Sequence, residues 1–306
     1  MNVGGVAYHP HLYTRVLASR DSDEIERWLG RDFETPAERS IAKAVNDERL
    51  YQEDYGLLVR FLAAQIVRTP AFFIKSLPHW QEQVRRQMED QATNLEHNLR
   101  RAREEGELVG IPPHPVAEYF PMRVRTEPSP DGKGALIKME TVVGRGYWIF
   151  AMRHLLTSTI ERLSSHHWTI LSAEDDLPWF TTDDPVIRLN FRDPSSYDFG
   201  GGWEIPKTNI LMPLSPRHLL FTQVGEKSFQ RGEVLPRHMA MMLRKMMAEH
   251  AHRYIFSPHI DPSIPSYRPR IVDGEAVRGE VEQWRRWHEE QSLAEREMAG
   301  GPGTTL

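Results

Sequence analysis

The stretch WTILSAEDDLPWFTTDDPV, residues 168–186, is the part of the sequence that decides the fold. Its alternation of apolar and polar residues predicts a strand, a polar turn and a second strand from Leu177 to Thr182. Pro185 cannot donate to a strand ladder, so the second strand must end there or lie at a sheet edge. Asp183 and Asp184 are therefore held side by side at a strand end, a place where functional groups often lie.

The composition of the chain narrows the class of protein to which it can belong. The chain has 306 residues, 40% of them hydrophobic and 26% charged, as is usual for a soluble globular protein. It contains no cysteine, which excludes disulfides, cysteine nucleophiles and thiolate metal sites and fits a reducing cytoplasm. Its net charge of -5 does not support nucleic-acid binding by the whole chain. No apolar run approaches the ~20 residues of a membrane span, and no partner is indicated.

The N-terminal half has the three-four apolar spacing of helices. A buried helix is predicted over residues 54–77, interrupted at Arg68-Thr69-Pro70, and a long charged helix over residues 80–107. Proline removes a backbone hydrogen bond, so the first helix must kink or restart at Pro70. The role of Arg68 has two interpretations. It either forms a structural salt bridge or backbone clamp, or its guanidinium binds an anionic ligand through two hydrogen bonds.

The second half contains segments that are typical of strands. Segments 209–216 and 219–224 are predicted to join the central pair in an antiparallel meander of four or five strands. Residues 111–134, rich in proline and glycine, are predicted to be a connector, residues 139–163 a helix, and the methionine-rich stretch 235–251 a core helix. The fold class is therefore α+β, with a helix-rich N-terminal half packed on a small, mostly antiparallel sheet and a charged C-terminal helix.

The expected organisation is one α+β domain over residues 1–257. Its helical part covers residues 21–110 and its sheet-containing part residues 136–257. A C-terminal loop and helix follow over residues 258–299, and residues 300–306 are expected to form a disordered tail.

Four blocks of the sequence resemble the prokaryotic DUF4238 proteins, a domain of unknown function. The blocks are FLAAQ with RTP at residues 61–70, Trp168 with FTTDDPV at residues 180–186, PLSP at residues 213–216 and RYIFS at residues 253–257. Two features depart from the family pattern: YHPH at residues 8–11 replaces a His-Tyr-Val-Pro opening, and Asp184 replaces an asparagine. The resemblance implies which residues matter, but it brings no established activity.

Two functions remain open at this point. The first is a non-catalytic binding or regulatory protein, in which Arg68 and Asp183 form a buried structural ion pair. The alternative is a divalent-metal-dependent hydrolase, such as a nuclease or phosphodiesterase, with Asp183, Asp184 and His11 holding Mg²⁺ or Mn²⁺. In that case the catalytic residues are Arg68, Asp183 and His9. Whether the protein is an enzyme is not decided by the sequence.

Overall fold

The computed structural model describes residues 15–17, 20–105, 122–128, 135–227, 229–269 and 273–300. The N-terminal segment with His9 and His11, most of the predicted connector and the end of the predicted tail lie outside these residues. The chain divides into two compact units that do not follow chain order. In the described residues, unit 1 covers Glu26–Phe72 and Met152–Gly274. Unit 2 covers the described residues up to Ile25, those within Phe73–Ala151 and those from Glu275 onward.

The helices of the chain are α1 (Glu24–Leu29), α2 (Thr35–Val45), α3 (Gln52–Val67), α4 (Pro70–Glu105), α5 (Arg145–His154), α6 (Ile160–Ser164), α7 (Arg237–His250), α8 (Ile264–Tyr267) and α9 (Gly274–Gly300). One-turn π-helical segments, Gly30–Glu34 and Leu155–Thr159, join α1 to α2 and α5 to α6. The predicted break at Pro70 is confirmed, because α3 ends at Val67 and α4 restarts at Pro70. The two helices predicted on either side of residue 78 are one helix, with Pro78 inside it.

The strands are β1 (Arg15–Leu17), β2 (Arg20–Ser22), β3 (Met122–Pro128), β4 (Ala135–Thr141), β5 (Thr169–Ser172), β6 (Thr181–Thr182), β7 (Ile187–Asp193), β8 (Ser196–Asp198), β9 (Asn209–Pro213), β10 (His218–Gln223) and β11 (Ile255–Phe256). The main sheet has the order β5-β10-β9-β7-β8 and is antiparallel throughout. The predicted antiparallel sheet and the α+β class are confirmed. The strand order is not that of a meander, however, because β5 pairs with β10 and β7 pairs with β9.

One of the predicted strands does not belong to the main sheet. The expected strand Leu177–Thr182 is reduced to the two residues of β6, which pair with β11 in a separate two-stranded ladder. The two prolines at 178 and 185 bracket this segment and leave little room for a longer ladder. The segment that carries the two aspartates is therefore held by the chain that follows α7, not by the main sheet.

Unit 1 is organised around one face of the main sheet. Leu211 of β9 lies opposite Ile187 of β7 and Phe221 of β10, so their side chains point to the same face. These residues form a buried cluster with Met246 and Met247 of α7, which confirms the methionine-rich stretch as a core helix.

Unit 2 has an aromatic core. Phe73 of α4 lies with ring centroids 4.9 Å from Trp148 of α5 and 5.1 Å from Trp287 of α9. Strands β3 and β4 of the same unit form a hairpin of seven residue pairs. The prediction of a connector over residues 111–134 is therefore wrong for Met122–Pro128, and the helix predicted from residue 139 begins only at Arg145 because β4 runs to Thr141.

No single helix of the described residues is long and apolar enough to cross a membrane. One helix pair, Gln52–Val67 with Pro70–Asn94, has the length and apolar composition of a membrane span only when its two members are taken together, and it is bent by 63° at the break between them.

Candidate functional site

The Asp183-Asp184-Pro185 turn follows directly from β6. The amide of Asp183 donates to the carbonyl of Tyr254 over 3.2 Å, which extends the contact between β6 and β11 by one residue. The hydroxyl of Thr182 donates to the carbonyl of Asp184 over 2.7 Å and accepts from its amide over 3.2 Å. This local hydroxyl–backbone turn fixes the direction in which each carboxylate leaves the chain.

The Asp183 carboxylate binds backbone. Its Oδ1 accepts from the amide of His252 over 3.0 Å, and its Oδ2 accepts from the amide of Arg253 over 2.9 Å. These two amides follow the last residue of α7, where the chain turns toward β11. A carboxylate that accepts from backbone amides forms charge-assisted hydrogen bonds, which are stronger than those between neutral groups. Asp183 therefore holds the connection between α7 and β11.

The Asp184 carboxylate has different partners and is buried, with 6% of the residue exposed. The hydroxyl of Thr69 donates to its Oδ1 over a long 3.4 Å, and Nε2 of His250 lies 3.6 Å from its Oδ2. The other ring nitrogen of His250 is 3.2 Å from the backbone carbonyl of Asp184. Thr69 also accepts the amide of Phe72 at the start of α4. Asp184 thus joins the start of α4 to the end of α7.

The two neighbouring carboxylates do not converge on one point. Consecutive side chains leave an extended chain on opposite sides, and the turn at Pro185 does not reverse this. Within the described part of the chain, no group of three or more histidine, aspartate or glutamate side chains is placed to hold a metal ion. His9 and His11, proposed as base and ligand, lie outside the described residues, so the structure does not place them.

Arg68 is not the partner of Asp183. Its guanidinium forms an ion pair with Glu34, and both side chains are partly exposed, by 33% and 38%. Arg68 follows the last residue of α3, where its amide donates to Ala64, and its side chain runs to the π-helical turn before α2. The expected Arg68–Asp183 ion pair does not form, because Asp183 is engaged by backbone amides instead.

Two polar residues of this region, Arg188 and His250, were not found from the sequence, and a third, Thr69, was noted only as part of the Arg68-Thr69-Pro70 break. Burial lowers the pKa of the Arg188 guanidinium from its usual value, and the nearby Asp184 carboxylate opposes that shift. The contacts of Thr69 and His250 with Asp184 join segments far apart in sequence, which leaves no local pattern. For Arg188 the one available signal was a charge between the apolar residues Ile187 and Leu189 of a strand.

A second polar cluster has the residue types of a serine hydrolase triad. Nδ1 of His218 lies 2.8 Å from Ser215 Oγ, and its Nε2 lies 3.1 Å from Asp47 Oδ1. Ser215 Oγ also accepts the amide of Arg217 over 3.1 Å, as in a hairpin turn. The amides of Leu214 and Ser215 donate to the carbonyl of His218, over 2.8 and 3.2 Å, so they cannot stabilise an oxyanion at Ser215. The cluster therefore ties the β9–β10 hairpin to the end of α2.

Comparison with known proteins adds a family. The model of a protein family of unknown function, DUF4238, matches residues 1–259, which include the Asp183-Asp184 turn together with Thr69, Arg188 and His250. No curated protein and no solved structure matches the chain. Because the family match covers most of the sequence and contains every block on which the resemblance was based, the chain belongs to the DUF4238 family.

Proposed function

We propose that this protein is a non-catalytic binding or regulatory protein in which the Asp183-Asp184 turn is part of the scaffold. The observation that supports this most is the binding of Asp183 to the amides of His252 and Arg253. A metal ligand or a general base needs a free lone pair directed at its target, whereas these oxygens are directed at the protein backbone. A cytoplasmic location, consistent with the absence of cysteine, is part of the proposal.

The scaffold role has an energetic basis. A hydrogen bond to a charged group contributes about 1.5–3 kcal/mol to stability, and a buried donor left without its acceptor costs about 1–3 kcal/mol. Asp183 accepts from two amides at a point where the chain leaves a helix, and Asp184 connects two helix ends. Both aspartates therefore stabilise junctions in unit 1, as the proposal requires.

The alternative, a hydrolase that uses Mg²⁺ or Mn²⁺ at Asp183 and Asp184, is favoured by one observation. Asp184, His250 and Arg188 bring a carboxylate, an imidazole and a guanidinium into one region, and hydrolases use all three groups. The two backbone amides already bound to Asp183, however, occupy part of its acceptor capacity and hold both oxygens toward the protein backbone. A cation would have to compete with these amides for the carboxylate, which makes this alternative the weaker one.

The test is thermal unfolding of the wild type and of Asp183→Asn, each with EDTA and with millimolar Mn²⁺. The proposal predicts that Asp183→Asn unfolds at lower temperature and that Mn²⁺ changes neither protein. The control is Asp175→Asn, which removes an aspartate whose side chain is 88% exposed and should leave the midpoint unchanged. If Mn²⁺ stabilises the wild type but not Asp183→Asn, the metal site is real and the proposal is wrong.

A further inference from the structure

Arg188 is a charged residue in an apolar setting. It lies in β7 between Ile187 and Leu189, which are 2% and 1% exposed and face the methionine-rich helix. Its own side chain points to the opposite face of the sheet, beside Ile210 of β9, which is fully buried. Arg188 itself is partly buried. The side chain of Arg188 thus leaves the sheet beside a fully buried apolar residue, and a charge that is removed from water needs compensation.

That compensation is incomplete. Arginine carries five N–H donors, and the guanidinium of Arg188 forms no hydrogen bond or ion pair within the part of the chain that the structure describes. Other buried arginines are paired: Arg145 binds both oxygens of Glu295, and Arg244 pairs with Asp261. The lowered pKa of Arg188 agrees with this difference, since burial outweighs the favourable effect of Asp184.

The nearby aspartate does not act as its partner. The Asp184 carboxylate favours the charge of Arg188 electrostatically, but its hydrogen bond is with Thr69 and its ion pair with His250. On the other side, Gly201 approaches the strand closely, and its amide donates to the carbonyl of Arg188 over 3.2 Å. This bond fixes the backbone of Arg188, while its guanidinium has no hydrogen-bond acceptor among the described residues.

We propose that the guanidinium of Arg188 binds an oxyanion, a carboxylate or a phosphate group, carried by the ligand of this protein. The inference rests on the proposed binding function and names the chemical class of what is bound. A planar guanidinium fork matches the two oxygens of a carboxylate or phosphate. A partly buried charge without a partner costs stability, and proteins retain such costs at functional sites.

The experiment measures binding of inorganic phosphate and of acetate by equilibrium dialysis and by the shift of the unfolding midpoint. Chloride at equal ionic strength serves as the reference salt, since screening alone affects all charged groups. The variants are Arg188→Gln and Arg188→Lys. The matched control is Arg192→Gln, which removes an exposed arginine from the same strand.

We expect phosphate, acetate or both to bind the wild type and Arg192→Gln alike, and to bind Arg188→Gln at least tenfold more weakly. The ion that binds more tightly identifies the group, and Arg188→Lys should keep part of the affinity. Without added anion, Arg188→Gln should unfold at the same temperature as the wild type or higher. The proposal is overturned if the wild type binds neither ion more tightly than Arg188→Gln, or if Arg188→Gln unfolds earlier in chloride, as loss of a structural residue would cause. Either result leaves the scaffold role of Asp183 to be decided by its own manganese experiment.

Discussion

The buried ion pair of unit 2 permits a prediction whose magnitude follows from its contacts. The side chain of Arg145 is fully buried, and its Nε and Nη2 donate to the two oxygens of Glu295 over 3.1 and 2.8 Å. Its Nη1 lies 2.6 Å from Nδ1 of His288. Because arginine can only donate, Nδ1 of His288 must accept, which leaves that nitrogen without a proton.

Replacing Arg145 by methionine keeps the approximate volume but removes both hydrogen bonds that Arg145 donates to Glu295, whose side chain is only 13% exposed. Removing one partner of a buried pair costs about 3–5 kcal/mol, because the remaining charge is left without compensation. The double variant Arg145→Met with Glu295→Leu removes both charges, and such replacements are often close to neutral. The double variant should therefore recover most of the stability that the single variant loses.

Urea unfolding followed by circular dichroism measures these differences. The control is Arg285→Met on α9, the helix that carries Glu295. Arg285 pairs with Glu282 at the surface, so this variant should show no change in the unfolding midpoint. A loss below about 1 kcal/mol for Arg145→Met, well under the range for a broken buried pair, would refute the reasoning. Failure of the double variant to recover stability would do the same.

Three further predictions concern unit 1. Burial raises the pKa of the Asp54 carboxyl, but hydrogen bonds from its neighbours outweigh burial and hold the pKa below its usual value. Its contribution is thus complete above the unfolded value of about 3.9 and is lost as pH falls through the folded pKa, so the melting difference between wild type and Asp54→Asn should shrink below about pH 4. His218→Gln should cost about 1–2 kcal/mol in urea unfolding, and Asp47→Asn much less because Asp47 is 76% exposed. Gly201→Ala places a Cβ 2.5 Å from Thr208 Cγ2 and should cost about 1–3 kcal/mol. Adding Thr208→Ser should recover only part of this in thermal unfolding, because a backbone carbonyl lies 2.9 Å from the same Cβ.

Much of the fold could be predicted because it depends on local patterns. Strands β9 and β10 are short, continuously buried runs separated by a proline-containing turn, and α7 repeats its methionines at helical spacing. Strands β6 and β11 have two residues each, too few for any period, and exist because they pair with each other. The β3–β4 hairpin was missed because prolines and glycines around it are typical of a connector.

The candidate site was predicted only in part. The sequence pointed to Asp183 and Asp184 because a strand ends there, and in the structure their carboxylates have different partners. The sequence analysis also paired Asp183 with Arg68, because the two residues have opposite charges and lie in blocks that resemble the DUF4238 family. The actual partners of Asp183 are backbone amides of residues 252 and 253, which carry no side-chain signal. Long-range backbone contacts of this kind have no sequence pattern.

The most direct test of the central claim is amide hydrogen exchange of the segment that follows α7. If Asp183 is scaffold, Asp183→Asn should speed the exchange of peptides containing the amides of His252 and Arg253, since those amides lose a charged acceptor. Peptides from β9 and β10 should be unaffected, and Mn²⁺ should change nothing in either protein. Unchanged exchange at these amides in Asp183→Asn, together with protection of the Asp183 turn by Mn²⁺ in the wild type, would contradict the claim and favour a metal site.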